Sequence, residues 1–139
     1  MAIIIREYKE SDHRAFDLTF TDGEDALKNY AIEKALEKHN SIIEKCYLAF
    51  NDNILVGFIY GFVLPNKTLL PQWLYVLPPY RKHGIGTALL KELEEKSNCT
   101  ASMIFYNKDL HNYYSNMGYE TGNNLETAIK EFNMGNGIK

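Results

Sequence analysis

The sequence has few cysteines, no excess of basic residues and no apolar run long enough to cross a bilayer. Its 139 residues include only Cys46 and Cys99, which lie far apart without a CxxC pair or a matched histidine spacing. This spacing indicates neither a zinc site nor a disulfide framework, so we expect two buried, inert thiols and no metal. The 15 lysine and arginine residues are outnumbered by 18 aspartate and glutamate residues, for a net charge of −3. No diffuse basic field is available for nucleic acid phosphates, and we expect no nucleic acid partner.

Apolar runs in the chain are short. The longest, over residues 54–64, falls below the roughly 20 residues that span a bilayer. Arg6 interrupts an N-terminal run of three isoleucines too early for a signal peptide. We therefore expect no membrane contact and a cytoplasmic location. The length and the 45% apolar content predict a single domain over residues 1–139.

Residue patterns predict strands and helices in mixed order. The predicted strands cover residues 2–7, 47–50, 54–64, 69–77, 100–106 and 126–134. The predicted helices cover residues 11–20, 24–39, 84–97 and 109–117. Pro71 cannot donate a ladder hydrogen bond, so we expect it at the start of its strand or at an irregularity. The order predicts a mixed α/β fold of the α+β type, with one sheet flanked by helices.

The segment over residues 74–87, with the sequence LYVLPPYRKHGIGT, joins a strand to the clearest helix in the chain. It carries Gly84 and Gly86 next to the cations Arg81 and Lys82. The first turn of a helix leaves backbone N–H groups unpaired and carries the positive end of the helix dipole. Glycine also lets a ligand approach the backbone closely, so this junction suits a phosphate group. The alternative is a tight connection whose glycines satisfy turn geometry and whose cations are solvated.

The same segment lacks the features of two common nucleotide sites. No lysine stands between Gly86 and Thr87, as the Gly-Lys-Ser/Thr of a nucleotide-hydrolysing loop requires. A dinucleotide site needs a third glycine and an acidic residue after the next strand, but that predicted strand ends at Tyr106 and Asn107. Nucleotide hydrolysis and nicotinamide binding are therefore disfavoured.

Polar and aromatic residues follow the strand predicted over 100–106. The amide of Asn107 can both donate and accept hydrogen bonds to an amide-bearing chain. Tyr114 shares a predicted helical face with Leu110, Tyr113 and Met117. On its own, Tyr114 would therefore be interpreted as a core aromatic residue.

Together these residues resemble the GNAT superfamily of N-acetyltransferases. Residues 81–86 match its Q/R-x-x-G-x-G/A motif, and Asn107, Tyr114 and Gly118 match N-x-x-A-x-x-L-Y-x-x-x-G-F. The second motif is matched with three departures, since Leu110, Tyr113 and Tyr119 replace its small, aliphatic and phenylalanine residues. The motifs cover roughly the C-terminal half, while the N-terminal half matches in the order of its elements. The resemblance implies one mixed, mostly antiparallel sheet of about six or seven strands. About four helices would flank this sheet, which would be splayed between the fourth and fifth strands.

The resemblance also implies acetyl-CoA as donor. In the family, the diphosphate rests on the backbone that matches residues 81–87, and pantetheine pairs like an added strand with residues 74–76. The implied binding residues are Leu74, Tyr75, Val76, Arg81, Lys82, His83, Gly84, Ile85, Gly86, Thr87 and Asn107. A backbone N–H within residues 74–76 would meet the oxyanion, and Tyr114 would protonate the CoA sulfur as the catalytic acid.

The general base is unassigned. Many relatives carry a glutamate where this chain has Ser102, and others use an acid on the strand over 69–77, which here contains no carboxylate. A water chain is one alternative base. The side-chain candidates are Asp22, Glu24, Asp25, Tyr75, Tyr80 and His111.

The predicted function is transfer of an acetyl group to a primary amine by direct attack in a ternary complex. The expected acceptor is a small cationic amine, an aminoglycoside-like compound or a peptide or protein amine. One alternative is a CoA-binding sensor or interaction module without catalysis, and another is a protein that acts mainly by association. Family members often pair, so a homodimer is a further expectation.

Overall fold

The structure is a computed structural model that describes residues 2–20 and 43–121, together with residues 128, 130 and 132. The helix predicted over residues 24–39 lies outside the described residues. The strand predicted over 126–134 also lies outside them, apart from three isolated positions.

Five strands and three α-helices are present among the described residues. The strands are β1 (Ile3–Glu7), β2 (Ile43–Asn51), β3 (Ile54–Val63), β4 (Thr68–Val76) and β5 (Ala101–Ser102). The helices are α1 (His13–Thr19), α2 (Ile85–Lys96) and α3 (His111–Asn116). The strands form one sheet in the order β1-β2-β3-β4-β5, antiparallel except for the parallel pair β4–β5. The mixed, mostly antiparallel sheet is confirmed, but the described strands and helices are fewer than the about six or seven strands and four helices expected.

β5 is much shorter than its predicted range of 100–106. It pairs with β4 only at Thr68 with Ala101 and at Leu69 with Ser102. Residues 103–106 keep the alternating β-forming pattern, yet they leave the ladder. A sequence pattern indicates which residues suit a strand. The length of a strand also depends on how many of its residues can pair with the neighbouring strand.

The chain divides into two compact units, Met1–Phe105 and Tyr106–Lys139. In the first unit, helices cover both faces of the sheet. On one face, Phe16 of α1 and Phe20, which directly follows the helix, pack on Phe58 of β3, with ring centroids 5.0 and 4.9 Å apart. On the other face, α2 buries its apolar stripe, which comprises Ile85, Leu89, Leu90 and Leu93. Burial of each such side chain contributes about 1.5–3 kcal/mol, so this stripe fixes α2 on the sheet.

A bulge interrupts β4 next to Pro71. Tyr60 of β3 pairs with Trp73, but the next residue of β3, Gly61, pairs with Pro71, so Gln72 is an extra residue in β4. The expectation that Pro71 lies at an irregularity is confirmed. An extra residue shifts the alternation of the strand by one, so the bulge determines which way residues 73–76 point.

An ion pair joins β1 to the start of α1. Arg6 donates from its two terminal nitrogens to the Asp12 carboxylate at 2.8 and 2.7 Å, and the Lys9 N–H donates to Asp12 Oδ2 at 2.8 Å. The Asp12 side chain is only 11% exposed, against 38% for Arg6. The hydrogen bonds from Arg6 are the main reason that the pKa of Asp12 is held below its ordinary value.

Asp12→Asn should lower the free energy of unfolding at pH 7 by about 1–2 kcal/mol, an estimate reduced for solvent screening of Arg6. Because the folded pKa of Asp12 is lowered, the pair stabilises the fold fully above the unfolded pKa of about 3.9. This contribution disappears as the pH falls through the folded pKa. Urea denaturation should therefore show a difference from wild type that shrinks below about pH 4.

The matched control is Glu10→Gln, which removes a nearby exposed carboxylate that lies outside the ion pair. Its free energy of unfolding should stay within about 0.5 kcal/mol of wild type. An Asp12→Asn deficit as large in acid as at pH 7 would contradict the electrostatic explanation.

Candidate functional site

The glycine-containing turn runs from the end of β4 to the start of α2. A single 3-10 turn, Pro78–Tyr80, leads into it, and the Arg81 N–H donates to the Pro78 carbonyl at 3.2 Å. Lys82 and Gly84 then adopt left-handed backbone conformations, with φ of 65° and 81°. A left-handed conformation is costly for any residue with a Cβ, so Gly84 suits its position, whereas Lys82 carries local strain.

A row of unpaired backbone donors follows from this turn. The N–H groups of residues 82–86 make no hydrogen bond to any residue that the structure describes. The Ala88 N–H donates to the Gly84 carbonyl at 3.0 Å, where regular helix bonding begins. A Cβ built on Gly84 would meet no atom of the described residues within 4 Å, so they leave the space beside this glycine open. The predicted phosphate-binding turn therefore has the donors and the room that such a ligand needs.

Two of the predicted strand residues lie directly beneath this helix start. A Cβ on Gly86 would lie 3.8 Å from Leu74 Cδ2 and 4.0 Å from Val76 Cγ2. Ile85 is buried in the core between α2 and the sheet. Tyr75 lies on the opposite face of the sheet, with its ring centroid 5.8 Å from that of Phe20. The structure thus brings Gly86 to Leu74 and Val76, while the Tyr75 side chain is part of the aromatic core.

One edge of β4 is open beside the turn. The Met103 N–H donates to the Leu69 carbonyl at 2.9 Å, one residue beyond the last β4–β5 ladder pair. Over residues 70–76, none of the described strands pairs with β4 on that side. The opening agrees with the splay between the fourth and fifth strands that the resemblance implies. Its unpaired backbone groups can bind an extended, amide-bearing chain as an added strand would.

The cationic side chains of the turn differ in their surroundings. Arg81 Nε donates to the Val76 carbonyl at 2.7 Å, and its guanidinium carbon lies 5.1 Å from the Tyr75 ring centroid. His83 Nδ1 donates to the Tyr80 carbonyl at 3.2 Å, and Lys82 is exposed. Reasoning from the sequence treated Arg81 as a solvated or phosphate-binding cation. It missed the contact with Val76 because no local pattern signals a hydrogen bond across the turn.

In the second unit, Asn107 caps a short helical turn. Its side-chain oxygen accepts a hydrogen bond from the Asp109 N–H at 3.1 Å, in a 3-10 turn over Lys108–Leu110 that precedes α3. The side-chain oxygen of Asn107 is therefore occupied by a local hydrogen bond. The sequence did not reveal this capping role. Its NH2 group makes no hydrogen bond within the described residues and can still donate to a ligand.

Tyr114 of α3 lies within an aromatic cluster of the second unit. The residue is 6% exposed, and its ring packs against Tyr106 and Tyr113, each with a centroid distance of 4.9 Å, and against Tyr119 at 5.9 Å. Burial, with a smaller effect of Tyr113, raises the pKa of the Tyr114 phenol above its ordinary value. The hydroxyl makes no hydrogen bond to any residue described in the structure. Tyr114 is thus a packed aromatic residue whose hydroxyl stays protonated at neutral pH.

The candidate bases have different placements. Asp22, Glu24 and Asp25 lie outside the described residues. His111 Nδ1 lies 3.3 Å from the Tyr106 hydroxyl at the exposed start of α3. Ser102, which occupies the position of the glutamate in many relatives, lies in β5.

The two thiols differ in burial. Cys46 in β2 is buried, and desolvation is the main reason that its pKa is raised. Cys99 is only partly buried, which corrects the expectation of two buried thiols. Cys99 lies in the connection between α2 and β5, outside the helix and strand that pack on the core. Within the described ranges, no group of three or more His, Cys, Asp or Glu residues is placed to hold a metal ion.

None of the helices in the described residues is both long enough and apolar enough to cross a bilayer.

Comparison with protein families identifies the class of protein. Residues 43–121 match the family model described as an acetyltransferase (GNAT) domain. The matched residues include the open edge of β4, the turn and Tyr114. Because the match covers more than half of the chain, this protein belongs to the GNAT acetyltransferase family. The predicted resemblance is confirmed. No curated protein sequence gives a significant match.

Solved structures share the fold across nearly the whole chain. The aminoglycoside N-acetyltransferase AAC(6')-Iy, in complex with a bisubstrate analogue of CoA, has a TM-score of 0.71 at 12% identity, covering 95% of this chain and 100% of that one. A ribosomal-protein-alanine N-acetyltransferase from Brucella melitensis has a TM-score of 0.68 at 19% identity, covering 95% and 100%. An integron cassette protein from Vibrio cholerae has a TM-score of 0.71 at 18% identity, covering 96% and 94%. Identities this low establish a common fold only.

Proposed function

We propose that this protein is an acetyl-CoA-dependent N-acetyltransferase that acts on a primary amine. The observation that carries this proposal is the row of unpaired N–H groups over residues 82–86, located next to the open edge of β4. The two features suit the two chemically different parts of the donor. One part is an anionic diphosphate, and the other is an extended arm with two amide groups.

The diphosphate would rest on the N–H groups at the start of α2. The helix has 12 residues and carries no acidic residue in its first turn, so its positive end is not neutralised there. The side chains of Lys82 and His83 and the backbone of Thr87 belong to the same proposed site, while the Arg81 side chain contacts the end of β4 beside it. AAC(6')-Iy has been solved in complex with CoA, which supports CoA as the ligand of this fold.

Acetyl-CoA would supply an activated acyl group as a thioester. A backbone N–H within residues 74–76 donates to the acyl oxygen, where negative charge develops as the amine attacks. A fixed backbone donor needs no reorganisation during the reaction, so its contribution to the rate can be large. Asn107 would donate from its free NH2 group to the amide-bearing arm.

Tyr114 is proposed to donate the proton that the departing thiolate requires. Its raised pKa keeps the phenol in the acid form at neutral pH. Its hydroxyl makes no hydrogen bond to another described residue that would compete for this proton. The amine attacks directly in a ternary complex, and the buried Cys46 thiol is unsuited to act as a nucleophile.

The acceptor is proposed to be a small cationic amine, an aminoglycoside-like compound or a peptide or protein amine. Two structures with the same fold are named as enzymes for aminoglycosides and for a ribosomal-protein alanine, and they support this range. The cationic alternatives also rest on Asp22, Glu24 and Asp25, whose contribution stays a prediction.

Thermal-shift and calorimetric titrations with acetyl-CoA, CoA and NAD test the donor site. Acetyl-CoA and CoA should raise the Tm, whereas NAD should not, because only a ligand that binds the folded state stabilises it. Gly84→Ala should weaken CoA binding by about tenfold, since its methyl group would occupy open space in the turn that the ligand needs, and should cost about 1 kcal/mol from its left-handed backbone.

Gly118→Ala is the control for backbone strain. Gly118 has a φ of 93° and open space around its Cβ, so its substitution should cost a similar loss of Tm. Folded wild-type protein that shows no Tm change in millimolar acetyl-CoA would overturn the proposed function.

A CoA-binding module without catalysis is the second candidate function. It is favoured by the absence of a carboxylate in β4 and by Ser102 at the position where many relatives carry a glutamate. Single-turnover release of CoA, measured over a panel of polyamines, aminoglycosides and peptides, separates the two functions. CoA binding with no turnover on any of these amines would favour the module.

A further inference from the structure

Arg81 is held against the C-terminal end of β4 by two contacts. Its Nε donates to the Val76 carbonyl at 2.7 Å, and its guanidinium carbon lies 5.1 Å from the Tyr75 ring centroid. The hydrogen bond uses the nitrogen closest to the backbone of Arg81, so the side chain folds back toward the strand. This contact directs part of the guanidinium toward the end of β4.

The Val76 carbonyl belongs to the open edge of β4. The Leu77 N–H donates to the Val56 carbonyl of β3 at 2.8 Å. The Val76 carbonyl and the Leu77 N–H share one peptide group, and in a trans peptide they point in opposite directions. The Val76 carbonyl therefore points away from β3, toward the side where β5 pairs only with Thr68 and Leu69.

Alternation along the strand identifies the other groups on this edge. Residue Tyr75 directs its carbonyl toward β3, where that oxygen would lie 2.9 Å from a Cβ on Gly57. Along a strand, successive residues direct their backbone groups to opposite sides. The N–H and the carbonyl of Leu74 and of Val76 therefore point away from β3, toward the open edge. The open edge near the turn thus offers the N–H of Val76 and the N–H and carbonyl of Leu74. The fourth group, the Val76 carbonyl, is already bonded to Arg81.

We infer that Arg81 is a positioning residue that sets the register of the acyl donor on β4. This inference rests on the proposed function. A donor anchored by its diphosphate at residues 82–86 meets the Val76 end of the edge first. Because Arg81 occupies the Val76 carbonyl, the amides of the pantetheine arm must pair with the Val76 N–H and the Leu74 carbonyl, which leaves the Leu74 N–H for the acyl oxygen. The hydrogen bond from Arg81 thus caps the Val76 carbonyl. Without this cap, the arm could pair with the Val76 carbonyl and shift toward the turn, which would move the thioester away from its reacting position.

A glutamine at position 81 can make the same hydrogen bond to the Val76 carbonyl. Glutamine carries its NH2 on Cδ, the same position at which arginine carries Nε, and both nitrogens donate. The two residues differ in charge, since only arginine would attract a phosphate. The motif that residues 81–86 match accepts either residue at the position of Arg81. Arg81→Gln therefore separates the carbonyl cap from the charge.

The experiment compares Arg81→Gln with Arg81→Met, which has similar length but no donor. Lys91→Gln on the exposed face of α2 controls for the loss of one surface cation. We expect Arg81→Gln to keep kcat and the Kd for CoA within about threefold of wild type. We expect Arg81→Met to lower kcat by about 30- to 100-fold while its Kd stays within about fivefold, since a small displacement of a reacting group costs about this much.

Amide hydrogen exchange supplies a readout that needs no acceptor. Saturating acetyl-CoA should slow exchange of the Leu74 and Val76 N–H groups in wild type and in Arg81→Gln. In Arg81→Met, protection should be lost at Leu74, because a shifted arm no longer reaches it.

Three results would overturn the inference. Equal loss of CoA affinity in Arg81→Gln and Arg81→Met, with kcat unchanged, would make Arg81 a phosphate-binding cation. Wild-type kcat and wild-type protection in Arg81→Met would show that the register does not depend on the cap. Wild-type protein that binds no CoA would overturn the proposed function itself, whereas the first two results leave that function intact.

Discussion

Tyr114→Phe should lower kcat by about 100-fold or more and leave the Kd for acetyl-CoA within about twofold. The substitution removes only the hydroxyl, and the ring contacts with Tyr106, Tyr113 and Tyr119 are kept. A proton for the departing thiolate is needed only as the reaction proceeds, so its loss affects turnover and not binding. Steady-state kinetics and calorimetry on the same preparation measure the two quantities.

The matched control is Tyr113→Phe, which removes a hydroxyl from the adjacent residue of the same aromatic cluster. Its kcat should stay within about twofold of wild type. The pH profile adds a second test, because the raised pKa of Tyr114 places its deprotonation above the ordinary tyrosine value of about 10. We expect no loss of kcat from Tyr114 between pH 7 and 9, and unchanged turnover in Tyr114→Phe across pH would remove Tyr114 from the acid role.

Gly57→Ala should reduce the free energy of unfolding by about 2–3 kcal/mol. A Cβ at Gly57 would lie 2.9 Å from the Tyr75 carbonyl oxygen and 3.3 Å from Val76 Cγ2. The first contact is with backbone, so relief requires movement of β4 itself. Urea denaturation of the variant and of wild type measures the change.

Gly86→Ala is the matched control for stability. A Cβ at Gly86 meets its nearest neighbours, Leu74 and Val76, at 3.8 and 4.0 Å, which are ordinary contact distances. Gly86 lies in α2 with a helical backbone, and alanine favours a helix over glycine by up to about 1 kcal/mol. We therefore expect Gly86→Ala to be at least as stable as wild type. A Gly57→Ala variant of equal stability would contradict the close packing of β3 on β4.

Local patterns predicted several parts of the fold and of the site. The helix over 84–97 was predicted from its apolar stripe, and α2 covers Ile85–Lys96. Pro71 was expected at an irregularity because it lacks an N–H, and it lies beside the Gln72 bulge. The donors at residues 82–86 follow from the glycine spacing before a strong helix. Each of these features depends on the chemistry of residues that are close in the sequence.

Other features depend on contacts between distant residues, and these were missed or wrong. The strand predicted over 100–106 is reduced to Ala101–Ser102, because pairing stops where β4 and β5 diverge. Asn107 has a local capping role that its type permits but does not require. Cys99 was expected to be buried and is partly exposed.

The sequence by itself determined the family, the order of the described elements and the position of the glycine-containing turn. These depend on residue type and spacing, which act over a few neighbouring positions. Only the tertiary structure decided which edge of β4 stays open and which of its carbonyls Arg81 covers. Both depend on how β3, β4 and β5 lie side by side, and such long-range pairing is set by the packing of the whole sheet.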